Sequence, residues 1–376
     1  MSLPAGRDGR RRDHRHDVLM VVLELLVAFL GGSVALLRDQ GARSHVGPCR
    51  PGRAVLVAQR RRTRLPKSGQ GSGRAQMTSG EAAGPGGGGT GDHAPPAMSP
   101  PHTMTRTVER PLDLPDFKAP PVREVAIGVQ FERIPALSQA HVGLFWSMIR
   151  DDYPVTQDQE PLPSQVEDLS GTPMPPLFKI EFGPTPPLRR AWFLNSDGSR
   201  LVQLQQDRLV HNWRYQDEPY PRFEPLAEAF HGFQESFFAL LGDLGLPVPK
   251  VELVEVTYVN WIPAAWMNEV VTFVTMPSLP DVLSAPDSGA LSTRFLVSDE
   301  GAPVGRLYLE ARSAVSQDAG TLEAGYLLNL TFRAPHQGGG RPEETTRLML
   351  RGREAIVQAF AAFTPEDLHK TWERQQ

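Results

Sequence analysis

Between Arg200 and Glu224 the chain reads RLVQLQQDRLVHNWRYQDEPYPRFE. Apolar and polar residues alternate, and the prolines that follow fix the backbone, so the stretch predicts one long strand that leads into a helix. Arg200, Arg208, Arg214 and Arg222 are interleaved with Trp213, Tyr215, Tyr220 and Phe223 along it. Everything after about Met104 can be arranged as two similar units around this ribbon.

Residues 1–103 do not have the texture of a domain. They hold 15 Lys+Arg against 7 Asp+Glu, a net of +8 in a chain whose total is -4, which leaves the remainder at -12. Arginine, glycine, alanine and proline dominate, and GPGGGG at Gly84–Gly89 cannot bury enough surface to offset ordering entropy. This leader is expected to be disordered. The glycines at Gly69, Gly71 and Gly73 follow no strand and open no helix, so they are no phosphate loop. Val18–Leu37 is an apolar run long enough to span a bilayer, with Glu24 inside it. Three readings stay open for the leader: an over-extended gene start with translation beginning at Met98 or Met104, a membrane anchor with a flexible linker, or a fortuitous apolar helix. The first or third implies a cytoplasmic protein, the second a membrane-anchored one.

The acidic body argues against broad phosphate attraction, so nucleic acid is the least favoured partner. The single cysteine, Cys49, lies in the leader, which leaves the body without disulfides, thiolate–metal sites or a cysteine nucleophile.

From Pro120 onward, strand and helix signals follow in order. Val125, Ile127, Val129 and Phe131 alternate with smaller or polar residues, and Ala136–Arg150 carries apolar residues at helical spacing behind Ser138. A Pro-rich loop covers Glu160–Pro176, short strands follow at Leu177–Phe182 and Ala191–Asn195, and a helix is expected over Leu226–Leu244. Then comes a second strand–helix–strands–helix series: Val251–Asn260, Ala264–Val271, Thr293–Ser298, Gly305–Arg312, Tyr326–Ala334 and Thr346–Phe363. Glu124-Val125 answers Glu255-Val256, Ile134-Pro135 answers Ile262-Pro263, Gln203-Leu204 answers Asn329-Leu330, and Ala229-Phe230 answers Ala359-Phe360, at offsets of 126 to 131 residues. The expected fold class is α+β: two tandem β-α-β-β-β-α units, 120–246 and 250–374, with antiparallel sheets. Each would leave one sheet face partly free. Joined side by side, they would give a saddle like that of TATA-binding-protein-type folds, by fold-level analogy.

The string Ala191-Trp192-Phe193-Leu194, Gln203-Leu204-Gln205, Asp207-Arg208, Asn212-Trp213-Arg214 and Tyr220-Pro221-Arg222-Phe223 resembles a sporadically distributed bacterial family of unknown function, about 250 residues long. The likeness runs from PPVREVAIGVQF to Trp372, departing at Phe223, where tyrosine is expected. It implies no reaction, and its sporadic distribution implies an accessory or defence-locus role.

The body contains no GxxxxGK[ST], HExxH or GxSxG. His141, His211, His231, His336 and His369 show no metal-ligand spacing, so neither a metal nor a cofactor is implied. The candidate ligand site is Arg208, Asn212 and Arg214, which share one side of a strand, with Tyr220 and Arg222 just beyond; guanidinium forks and an amide suit a carboxylate or phosphate. The competing structural reading puts Trp213 in the core, pairs Arg208 with an acidic neighbour and makes YPR a helix-entry clamp. A binding module for a protein or small anionic ligand is the preferred function. An enzyme acting on a phosphorylated or carboxylated small molecule, and a nucleic-acid-binding sheet, are the alternatives.

Overall fold

The computed structural model describes residues 110–170, 177–179, 188–216, 218–275, 278, 280–284, 286–318, 321–337 and 341–376. The leader, including Val18–Leu37, lies outside them. Among the described residues no helix is long and apolar enough to cross a membrane.

The first strand, β1 (Val122–Phe131), leads into helix α1 (Gln139–Ile149), which begins at Ser138. Four short strands follow: β2 (Val155–Gln159), β3 (Ser164–Val166), β4 (Leu177–Lys179) and β5 (Arg190–Leu194). The ribbon predicted as one strand is two: β6 (Arg200–Gln205) and β7 (Arg208–Arg214), paired antiparallel from Gln205–Arg208 to Arg200–Trp213. The chain reverses at Gln206-Asp207, where the Asp207 carboxylate accepts from Gln205 Nε2 at 2.5 Å and holds the turn. Helix α2 (Phe223–Asp243) closes the first half. Gly245, at φ 66°, ends it, with Gly245 N–H donating to Gly242 O and Leu246 N–H to Leu241 O, the paired bonds of a Schellman motif.

The second half runs β8 (Val251–Pro263), α3 (Ala264–Thr275), β9 (Ala290–Asp299), β10 (Ala302–Asp318), β11 (Thr321–Pro335) and α4 (Pro342–Phe363), with a short α5 (Glu366–Thr371) after it. Pro342 at the start of α4, with Glu343 and Glu344 in its first turn, matches the needs of a helix N-terminus. The second half shows the β-α-β-β-β-α order expected; in the first, β2 and β3 are additional, β4 falls within the strand expected at Leu177–Phe182, and the ribbon divides into β6 and β7.

Nine strands form one antiparallel sheet in the order β2-β5-β6-β7-β1-β8-β11-β10-β9, and β3 pairs with β4 separately. The fold is α+β, and β1 and β8 lie side by side at its middle. Gly128 is required there: a Cβ would stand 2.8 Å from Val210 Cγ2 and 2.9 Å from Leu209 O on β7. One face of the sheet is apolar. Val125, Ile127, Val129 and Phe131 of β1 join Val254, Val256 and Tyr258 of β8 beneath α2 and α4, in one core with Phe230, Phe237, Leu348 and Ile356. The arm before β1 meets the C-terminal residues, where Phe117 forms a β-bridge with Arg374 and the rings of Phe117, Phe360 and Trp372 contact one another.

The opposite face is polar, but it is not the free face expected. Glu124, Gln130, Arg208, Arg214 and Asn212 are all buried there. The cause at one end is the Pro-rich segment 160–170, expected only as a loop, which lies across the strands. Gln165 N–H donates to Gln130 Oε1 at 2.7 Å while Gln130 Nε2 donates to Gln165 O at 3.0 Å, so the side-chain amide stands in for a strand backbone. Leu162 makes the same exchange with Gln205, and Glu167 accepts from Tyr308 Oη at 2.5 Å and pairs with Arg306 at 3.3 Å.

Candidate functional site

Strand parity decides which predicted residues meet. Arg208, Val210, Asn212 and Arg214 of β7 sit beside Gln130, Gly128, Ala126 and Glu124 of β1 on the polar face. Leu209, His211 and Trp213 turn into the apolar core. On the other side of β7, Gln205 and Gln203 of β6 continue the polar face, followed by Arg190 and Trp192 of β5.

These side chains form one hydrogen-bonded row across four strands. Trp192 Nε1–H and Arg190 Nη1–H both donate to Gln203 Oε1, at 3.0 and 2.8 Å. Gln203 Nε2 donates to Asn212 Oδ1 at 2.7 Å, and Asn212 Nδ2 donates to Glu124 Oε1 at 2.5 Å. Arg214 Nε lies 3.7 Å from the same Glu124 oxygen. The Trp192 ring has two guanidinium groups near it, Arg190 at 5.3 Å and Arg214 at 5.0 Å from its centroid. Arg208 Nη2 donates to Gln130 Oε1 at 2.9 Å and reaches Pro163 O at 3.3 Å.

Arg190 and Arg214 are thus buried in the row with the carboxylate of Glu124, and Arg208 is buried beside it. Burial, then the repulsion of Arg208 and Arg214, brings the Arg190 pKa down to about 10, so it stays protonated at neutral pH. Burial also lowers Arg208 and Arg214, with Glu255 and Asp207 opposing it at the first and Glu124 at the second. Burial raises Glu124, against the pull of Arg214 and Asn212. Even so, donors remain: Arg190 Nε and Nη2, Arg208 Nη1, and Arg214 Nε, Nη1 and Nη2 are buried without a hydrogen-bond partner. Among the described residues no ion pair joins Arg208 to an acidic side chain. Asp207 instead accepts from Gln205 and from Ser164.

Tyr220 and Arg222 belong elsewhere. After β7 the chain passes to the helix-bearing face, where both line a cleft with Tyr258 and Arg353. Tyr220 Oη lies 2.9 Å from Tyr258 Oη, and Arg222 Nη1 donates to Asp116 at 2.5 Å. Arg222, immediately before α2, joins the helix entry to the arm through Asp116 and Phe117 O. The five candidates therefore divide between two faces of the sheet. Arg190, Trp192, Gln203 and Glu124 were not singled out as ligand-binding; Arg190 and Trp192 show the i, i+2 parity that would have placed them together.

Among the described residues no three His, Cys, Asp or Glu side chains come together as a metal set. The chain matches no protein-family model and no curated protein.

Proposed function

We propose that the protein is a binding module that takes an anionic group, a carboxylate or phosphate on a protein or small ligand, onto Arg190, Arg208 and Arg214. The observation that carries this reading is the set of unpartnered N–H donors on three buried guanidinium groups. Leaving such donors unmet costs on the order of 1–3 kcal/mol each, and an anion that satisfies them recovers that cost on binding. Glu124 is fixed by Asn212 and faces Arg214, which suits it to orienting an arginine rather than moving protons. Duplex or single-stranded nucleic acid fits less well, because the cations lie beneath the surface and the body is acidic.

The test is a titration with inorganic phosphate and with a dicarboxylate such as succinate, followed by calorimetry, and a pull-down from the native host. Arg208→Gln with Arg214→Gln is expected to weaken anion binding at least about tenfold and to lose the partner. A folded double variant that keeps every ligand and partner would count against the site.

Two further parts of this reading concern origin and place. The sheet supports an ancient duplication, since β1, β7, β6, β5 and β8, β11, β10, β9 run outward from the central pair in the same order. The ion pairs Glu124–Arg214 and Glu255–Arg333 join corresponding neighbouring strands. Gln203-Leu204 and Asn329-Leu330 are not equivalent on this scheme, because β6 is second from β1 whereas β11 adjoins β8. The saddle, membership of the sporadic bacterial family, a defence-locus role and a cytoplasmic location belong to the same proposal.

A further inference from the structure

The cleft that holds Tyr220 and Arg222 lies between the arm 110–122, the start of α2, β8 and α4, on the opposite face of the sheet from the arginine row. Its enclosed part is small, about 50 Å³, room for a carboxylate-sized group with the rest of a ligand lying in the open mouth. Its walls are mostly apolar, with Phe117, Ile356 and Phe360 among them. Arg353 projects from α4 into this setting and is only 2% exposed. Its Nη2 lies 3.3 Å from Glu224 Oε1, but its Nε and Nη1 are buried with no hydrogen-bond partner. An arginine so placed demands an acceptor, since an aliphatic side chain of similar volume would pack the same position without the desolvation cost.

Two more observations point the same way. Arg110, Arg222 and Arg353 line the cleft against a single lining carboxylate, Asp116, so the space carries excess positive charge even after Glu224 is counted beside Arg353. Tyr220 and Tyr258 hydrogen-bond only to each other among the described residues. One hydroxyl must be the donor of that bond, and the proton of the other is left for an outside acceptor. Burial, then the neighbouring Tyr258, raises Tyr220 well above its ordinary pKa, and burial pushes Tyr258 up to about 12, so both remain donors at neutral pH. Arg222 holds its position at φ 81° and ψ 169°, a region that disfavours a side chain, which marks this rim as constrained.

We propose that the cleft is a second binding site, for a small carboxylic acid with an apolar body. The carboxylate accepts from an unpartnered N–H of Arg353 and takes the free tyrosine proton, and the hydrocarbon lies against Phe117, Ile356 and Phe360.

Calorimetric titration of the full chain with hexanoate and benzoate tests this, with hexanamide and inorganic phosphate as controls. Both acids are expected to bind saturably and the amide at least about tenfold more weakly, because it lacks charge, while phosphate, which lacks an apolar body, should not displace hexanoate from the cleft. Arg353→Gln should lose the acids. Because Arg353 is buried and its loss can unfold the protein, Val357→Trp, which fills the cleft from a half-buried position, provides a second block and should also abolish binding. Val357→Trp should leave phosphate binding at the polar face unchanged, which separates the two sites. Equal binding of hexanoate and hexanamide, no binding of either acid to the wild type, or retention of binding by Val357→Trp would overturn the assignment.

Discussion

Acid should destabilise this protein through His211. His211 lies on β7 facing the core, 3% exposed, with the Phe233 ring at 5.2 Å. Its Nε2 is 3.4 Å from Tyr153 Oη and its Nδ1 3.4 Å from Leu226 O, both long contacts. Burial drives the imidazole down from 6.5 to about 4, the Leu226 carbonyl opposing and Arg200 adding to the fall. The unfolded chain therefore binds the proton first. Stability is complete above the unfolded value and is lost as pH falls from 6.5 toward about 4. The linkage integral gives a loss of about 2 kcal/mol by about pH 5 and about 3 kcal/mol by about pH 4. Urea unfolding followed by tryptophan fluorescence, at about pH 8 and about pH 5, measures it. Burial lowers His231 and His369 as well, so the decisive quantity is the difference between wild type and His211→Gln. The variant should lose about 2 kcal/mol less over that interval. Equal losses would mean that the ring titrates near its ordinary value in the folded protein, and the burial argument would be wrong.

Two other perturbations follow from packing. Gly352→Ala on an ordinary exposed helix would stabilise by about 1 kcal/mol, yet here a Cβ runs into the Phe332 ring of β11, so a loss of about 1–3 kcal/mol is expected in urea unfolding. Glu167→Ala strands Arg306 and Tyr308 beneath segment 160–170; it should cost about 3 kcal/mol and make that segment a site of limited proteolysis, whereas an unchanged digestion pattern would deny its role as a strap.

The helices and the strands with strong alternation were legible because their periodicity is local. Val125 to Phe131 and the phenylalanines of α2 could be placed from spacing alone, and Trp213 was correctly sent to the core. The ribbon was misread as one strand because Gln206-Asp207 carries neither glycine nor proline, the usual marks of a reversal; what turns the chain is a side-chain bond, Gln205 to Asp207, which no pattern of residue types announces. The strand Val155–Gln159 was missed for a related reason. VTQDQ is exposed along most of its length, and only its edge pairing with β5 makes it a strand.

The site was legible only as far as a single strand reaches. Period-two parity grouped Arg208, Asn212 and Arg214 correctly, since that grouping needs no knowledge of neighbours. Extending the group along the chain to Tyr220 and Arg222 failed because proximity in sequence ends where the backbone passes from the polar face to the helices. Extending it across the sheet succeeds. Arg190, Gln203 and Glu124 lie within a few strands of Asn212 but 9 to 88 residues from it in the chain, and the order β5-β6-β7-β1 brings them into one row. The net charge of the body misleads in the same way: a total of -12 conceals a polar face on which Arg190, Arg208 and Arg214 are buried with unmet donors. What makes that row a candidate site is the combination of burial and unmet donors, and both arise only when strands distant in sequence are set side by side.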